Sequence, residues 1–151
     1  MNVLFFYASI VALLVIFFIT VMKKKFTVRH MVLMLGYGLY NLIFELIFGE
    51  ILGLYYYIEK GHSLVYTIIA SLFLYPVIAV LYVFYLPERK KVVYTAGFTV
   101  AALIMEIFSL YSQTIVLTGW RILPWSVISY MVSFYLINLF NSFLLRVLPE
   151  P

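Results

Sequence analysis

Glu45 and Glu106 are the residues of this chain best suited to do chemistry. Each sits in the middle of a long apolar stretch, where a carboxylate costs at least about 2.5 kcal/mol by insertion scales. A chain keeps such a group there when something polar in the protein interior faces it. At about 100° per residue, Gly38, Asn41, Glu45, Gly49 and Gly53 share one face of a helix, and the opposite face is Leu, Ile, Phe and Tyr. Thr95, Thr99, Ala102, Glu106, Ser109 and Gln113 fall in one narrow arc of a second helix. Arg121 begins the last apolar stretch and can snorkel along it. Together Glu45, Glu106, Asn41, Gln113 and Arg121 make a candidate pocket for a proton, a cation or a small polar ligand. The two glutamates are expected at matched depth on parallel helices, facing each other and sharing a proton, because two close carboxylates in a low dielectric repel.

Other chemistries are absent from the pattern. The chain has no cysteine, hence no thiolate nucleophile, thiolate metal site or disulfide. It has no HExxH, no Gly-rich phosphate loop and no serine elbow. Its serines stand in sequence without a base, so no catalytic residue is assigned. Glu50, Glu59 and His62 are expected at the outer mouth, but their spacing carries no metal signature; neither a metal nor another cofactor is expected. A structural role accounts equally well for the glutamates, since buried Glu, Asn and Ser also bond helices together at roughly 0.6 kcal/mol per contact. Arg121 beside Trp120 likewise fits an interface anchor.

The elements that must position these groups are membrane spans. Of 151 residues, 66% are hydrophobic and 11% charged, and the mean hydropathy is +1.12. A soluble domain is about a quarter charged, so the chain reads as an all-α integral membrane bundle in a single domain. Five spans are expected, at about 3–22, 30–55, 63–86, 92–117 and 122–147. Pro76 is expected to kink the third, and Pro124 falls in the first turn of the fifth. With the N-terminus outside, the inner loops and tail hold Lys23, Lys24, Lys25, Arg29, Arg89, Lys90, Lys91 and Arg146, and the outer side only Lys60 and Arg121. The positive-inside rule therefore puts the N-terminus outside and the C-terminus in the cytoplasm. The net charge of +4 is explained by that rule, and no nucleic-acid partner is expected. Tyr55, Tyr56, Tyr57, Trp120 and Trp125 then form an outer aromatic belt.

From about Arg29 onward the chain resembles the CBO0543-type family of small multi-spanning bacterial membrane proteins. The likeness is carried by Glu45, Leu74-Tyr75-Pro76, Tyr85-Leu86-Pro87, Glu106 and Trp120-Arg121. It implies a roughly five-span protein of a bacterial cell membrane and singles out the two glutamates, without giving them a role. Three uses of the pocket stay open. The first is a binding or sensing module, or a subunit of a membrane complex, with the bilayer and other subunits or further copies of the chain as partners. The second is a proton- or cation-coupled transporter or channel subunit. The third is an intramembrane enzyme acting on lipid.

Overall fold

The computed structural model describes residues 2–87 and 89–148. Glu88, in the charged turn before the fourth span, and the closing residues 149–151 lie outside the described residues. Five helices are long and apolar enough to cross a membrane: α1 (Asn2–Lys23), α2 (Val28–Ile51), α3 (Lys60–Phe84), α4 (Lys91–Tyr111) and α5 (Ile122–Val147). Two short strands, β1 (Tyr55–Tyr57) after α2 and β2 (Ile115–Leu117) after α4, complete the described elements.

The helices alternate in direction, so one end of the bundle carries residue 2 and the loops around 52–62 and 112–121. The other end carries the loops around 24–27 and 85–90 and residue 148. Lys23, Lys24, Lys25, Arg29, Arg89, Lys90, Lys91 and Arg146 lie toward the second end, and Lys60 and Arg121 toward the first. At the basic end Lys24 ties the α1–α2 loop to the end of α3, donating to the Phe84 carbonyl and lying 4.3 Å from the centre of the Tyr85 ring. Thr20 on α1 meets the Tyr85 hydroxyl at 3.1 Å. Thr27 caps α2, its Oγ1 lying 2.8 Å from His30 Nδ1, and the buried His30 ring stacks on Phe84 at 4.4 Å.

α3 is the most deeply packed helix. It lies against α2, α1 and α5, while α4 rests mainly on α5. Pro76 cannot supply the amide that a regular helix needs. The chain accommodates it with one wide turn over residues 70–74, closed by the Tyr75 N–H onto the Ala70 carbonyl. α2 has a similar wide turn over residues 46–51, just past Glu45. Gly38 sits where these two helices cross. A Cβ there would lie 3.0 Å from Pro76 Cγ and 3.1 Å from the Ser71 carbonyl, so glycine permits the close approach.

Two expected spans end early. α2 stops at Ile51 instead of residue 55, and α4 at Tyr111 instead of residue 117. The freed segments pair as an antiparallel ribbon, Tyr55 opposite Leu117, Tyr56 opposite Val116 and Tyr57 opposite Ile115. Gly53, at φ 61°, turns the chain out of α2. The Leu54 carbonyl then accepts from the N–H groups of Thr118, Gly119 and Trp120 at 2.9–3.0 Å. These bonds satisfy backbone that would otherwise face the bilayer edge unpaired. Tyr55, Tyr56 and Tyr57 are thus strand residues: Tyr55 and Tyr57 point into the bundle and are buried. Trp125 is exposed, as an interfacial aromatic would be. In α5 the residue before Pro124 is extended, and regular helix begins only after Ser126.

The core has two parts. Toward the basic end, Leu33, Val80, Tyr82, Phe134 and Ile137 pack solidly between α2, α3 and α5. Toward the ribbon end, Phe6 and Ile10 of α1 pack with Tyr55, Tyr57 and Ala70. The glutamates lie between these layers.

Candidate functional site: an intramembrane cavity with two buried carboxyls

A cavity of about 350 Å³ lies inside the ribbon half of the bundle and receives side chains from all five helices and both strands. Its floor is an aromatic plug. Tyr82, Phe98 and Phe134 meet with ring centres 4.8–5.7 Å apart, and the Tyr82 hydroxyl is held by Thr95 at 2.7 Å and by the Asn138 amide at 2.8 Å. Its roof is the inner face of the ribbon, with Trp120 edge-on to Phe48 and Tyr55. Among the residues that line it, only Ala101 and Met105 of α4 are exposed. They sit beside Phe5, Ser9 and Leu13 of α1, which are partly exposed. The cavity therefore reaches the outside of the bundle sideways, at the thin seam between α1 and α4.

Glu45 is 5% exposed and Glu106 7%. A buried carboxyl needs hydrogen-bond partners, and each has its own. Glu45 Oε1 accepts from the Tyr75 hydroxyl at 2.9 Å and the Tyr57 hydroxyl at 3.2 Å, and those two hydroxyls lie 2.6 Å apart. Burial, and after it the neighbouring Glu45 carboxyl, push the Tyr57 hydroxyl well above the usual phenol range. It therefore keeps its proton and stays a donor. The same two causes raise Tyr55, which also faces Glu45. Glu106 Oε1 accepts from Ser126 Oγ at 2.7 Å, and Ser126 Oγ in turn accepts from the Trp120 indole N–H at 2.9 Å. The second oxygen of each carboxyl, Glu45 Oε2 and Glu106 Oε2, is buried and makes no hydrogen bond of good geometry with a described residue, with the Tyr55 hydroxyl facing Glu45 and the Tyr130 hydroxyl facing Glu106.

Of the five residues picked from sequence, Glu45, Glu106 and Asn41 line the cavity; Gln113 and Arg121 do not. Asn41 bonds back to the Tyr37 carbonyl at 3.1 Å. Gln113 was expected two helical turns beyond Glu106. The helix ends first, and Gln113 is an exposed turn residue with φ 58°. Arg121 is exposed at the start of the extended entry to α5. The mouth expected from Glu50, Glu59 and His62 is also displaced: all three are exposed off the cavity, with Glu59 and His62 3.2 Å apart on their loop. Nor do the glutamates share a proton directly. α2 packs on α3 and α5, α4 packs on α5, and each carboxyl is bonded to its own hydroxyls.

Three hydrogen-bond partners of the carboxyls, Tyr57, Tyr75 and Ser126, are not picked out by the sequence. Tyr75 does carry a signal in the sequence, since Ser63, Thr67, Ser71 and Tyr75 recur every four residues along the third span. Tyr57 gave the wrong one, because three consecutive tyrosines near a span end look like a membrane belt. Ser126 stood apparently without a base, whereas the fold brings the Glu106 carboxyl to it from 20 residues away. Comparison of the chain with protein-family models, with curated proteins and with solved structures finds no match.

Proposed function

We propose that this protein is an intramembrane ligand-binding module, acting as a sensor or as a subunit of a larger membrane complex. The observation that carries the reading is a half-enclosed cavity lined by two buried carboxyls, each with one oxygen that makes no hydrogen bond to a described residue. A structural glutamate would use both oxygens to bond helices. An apolar chamber with a few convergent polar groups is instead the usual form of a small-ligand site. The resemblance to the CBO0543-type family, in which the same two glutamates stand out, is consistent with this reading. A proton or cation path is less well supported, because the Tyr82–Phe98–Phe134 plug closes the cavity toward the basic end. Catalysis on lipid has one new point in its favour, the Ser126–Glu106 contact. However, the Trp120 N–H donates to the same serine oxygen and makes it a poorer nucleophile.

The test uses Ala102, a cavity-lining residue of α4. Wild type and Ala102→Phe are purified from native membrane, and their bound small molecules are identified by mass spectrometry. A compound near one-to-one with wild type and absent from Ala102→Phe is expected. Identical extracts from two folded proteins defeat the binding reading. Proton or cation flux in liposomes that depends on Glu45 and Glu106 replaces it with the transporter reading.

The proposal places the ribbon end outside a bacterial cell membrane, because the basic residues gather at the other end. Reporter fusions after Lys25 and Lys91 should then read cytoplasmic, and fusions after Gly61 and Gly119 external. A cytoplasmic signal at Gly61 inverts the orientation.

A further inference from the structure

We infer that the cavity takes the head of an amphiphile bearing a protonated primary amine, admitted from the bilayer through the α1–α4 seam. The inference rests on the binding reading above and specifies its ligand and its route.

The head is indicated by what lines the cavity. The lining holds two carboxyls and no Lys, Arg or His. Glu45 Oε2 and Glu106 Oε2 make no hydrogen bond of good geometry with any described residue, although the Tyr55 hydroxyl faces the first carboxyl and the Tyr130 hydroxyl the second. Their other oxygens are held by Tyr57, Tyr75 and Ser126, which fixes where the two carboxyls stand in the cavity wall. An ammonium group supplies N–H donors and the opposite charge at once. The walls add aromatic faces, among them Tyr37, Phe44, Tyr55 and Tyr130, and such faces attract a cation. An anionic head would be repelled by either carboxyl in its ionised form.

The body and route are indicated by where the cavity opens. Roof and floor are closed by the ribbon and by the aromatic plug. The exposed lining residues, Ala101 and Met105, lie near the middle of α4, at the depth of lipid tails. Gly97, one turn earlier on α4, is exposed and would have nothing within 4 Å of an added Cβ. A molecule entering at that depth arrives from the hydrocarbon and trails an apolar chain between the largely apolar residues of the seam.

The test uses full-length Trp125→Phe protein in nanodiscs. That variant leaves Trp120, beside the cavity, as the one tryptophan. Octylamine, octanol and ethylamine are titrated against its fluorescence. Octylamine is expected to saturate the signal with an affinity at least tenfold tighter than octanol. Glu106→Gln and Glu45→Gln should each weaken octylamine at least tenfold and leave octanol unchanged. Ethylamine, delivered from water, should not compete. Because Ala101 is exposed at the seam, Ala101→Phe should narrow it without disturbing the core, and slow octylamine association about tenfold with little change in affinity. Equal binding of octylamine and octanol, indifferent to both glutamine variants, overturns the amine and leaves the binding module standing. Effective competition by ethylamine, or an unchanged association rate in Ala101→Phe, overturns the lateral route. No saturable signal with any probe counts against the binding module itself.

Discussion

Tyr56→Cys together with Val116→Cys is expected to crosslink almost completely under mild oxidation. The two residues are paired in the ribbon, and paired Cα atoms in antiparallel strands lie about 4.5–5.5 Å apart, inside the range a disulfide spans. Neither side chain lines the cavity, so the bridge forms on the ribbon's outer face. The chain contains no cysteine, and a gel shift under non-reducing conditions reads the result directly. The bridge joins residues far apart in sequence, so it should also stabilise the bundle by about 2–4 kcal/mol, seen as a higher melting temperature that reductant removes. If residues 30–55 and 92–117 were instead continuous helices, positions 56 and 116 would have no fixed relation. Absence of the crosslink would then remove the ribbon and the cavity's roof.

The ribbon also marks where the sequence stops being informative. Span number and placement were legible because hydrocarbon demands long apolar runs, and every expected span matches an observed helix to within a few residues except at the ribbon. Three residues per strand are too few to show a period, and Ile115-Val116-Leu117 is as apolar as the helix before it. Pairing between segments 60 residues apart is invisible to any local pattern. The site followed the same division. Glu45, Asn41 and Glu106 were legible because a polar residue inside a span is costly and so conspicuous. Gln113 and Arg121 were misplaced because the helix carrying one ends early and the helix carrying the other begins late. Tyr57, Tyr75 and Ser126 were passed over because a hydroxyl on an aromatic or small residue costs little in a membrane. Only tertiary placement makes it the partner of a carboxyl.

Tyr57→Phe combined with Tyr75→Phe is expected to destabilise the bundle more than any single change at the site. The pair supplies both hydrogen bonds to Glu45 Oε1, and Glu45 Oε2 has no described partner to compensate. The glutamate is 5% exposed, so water cannot readily replace what is lost. Leaving a buried acceptor unsatisfied costs about 1–3 kcal/mol, and more when the group is charged. Phenylalanine keeps each ring, so the packing of Tyr57 against Phe6 and Tyr55 is retained and the loss is assigned to the hydroxyls. Removing the carboxyl as well should reverse most of the damage, because replacing both sides of a buried hydrogen bond by apolar groups of similar shape is nearly neutral. The triple variant with Glu45→Met is therefore expected to melt well above the double variant and close to wild type. A triple variant no more stable than the double would mean that the two hydroxyls stabilise the fold through some other contact. Glu45 would then be held in the cavity by something other than its tyrosines.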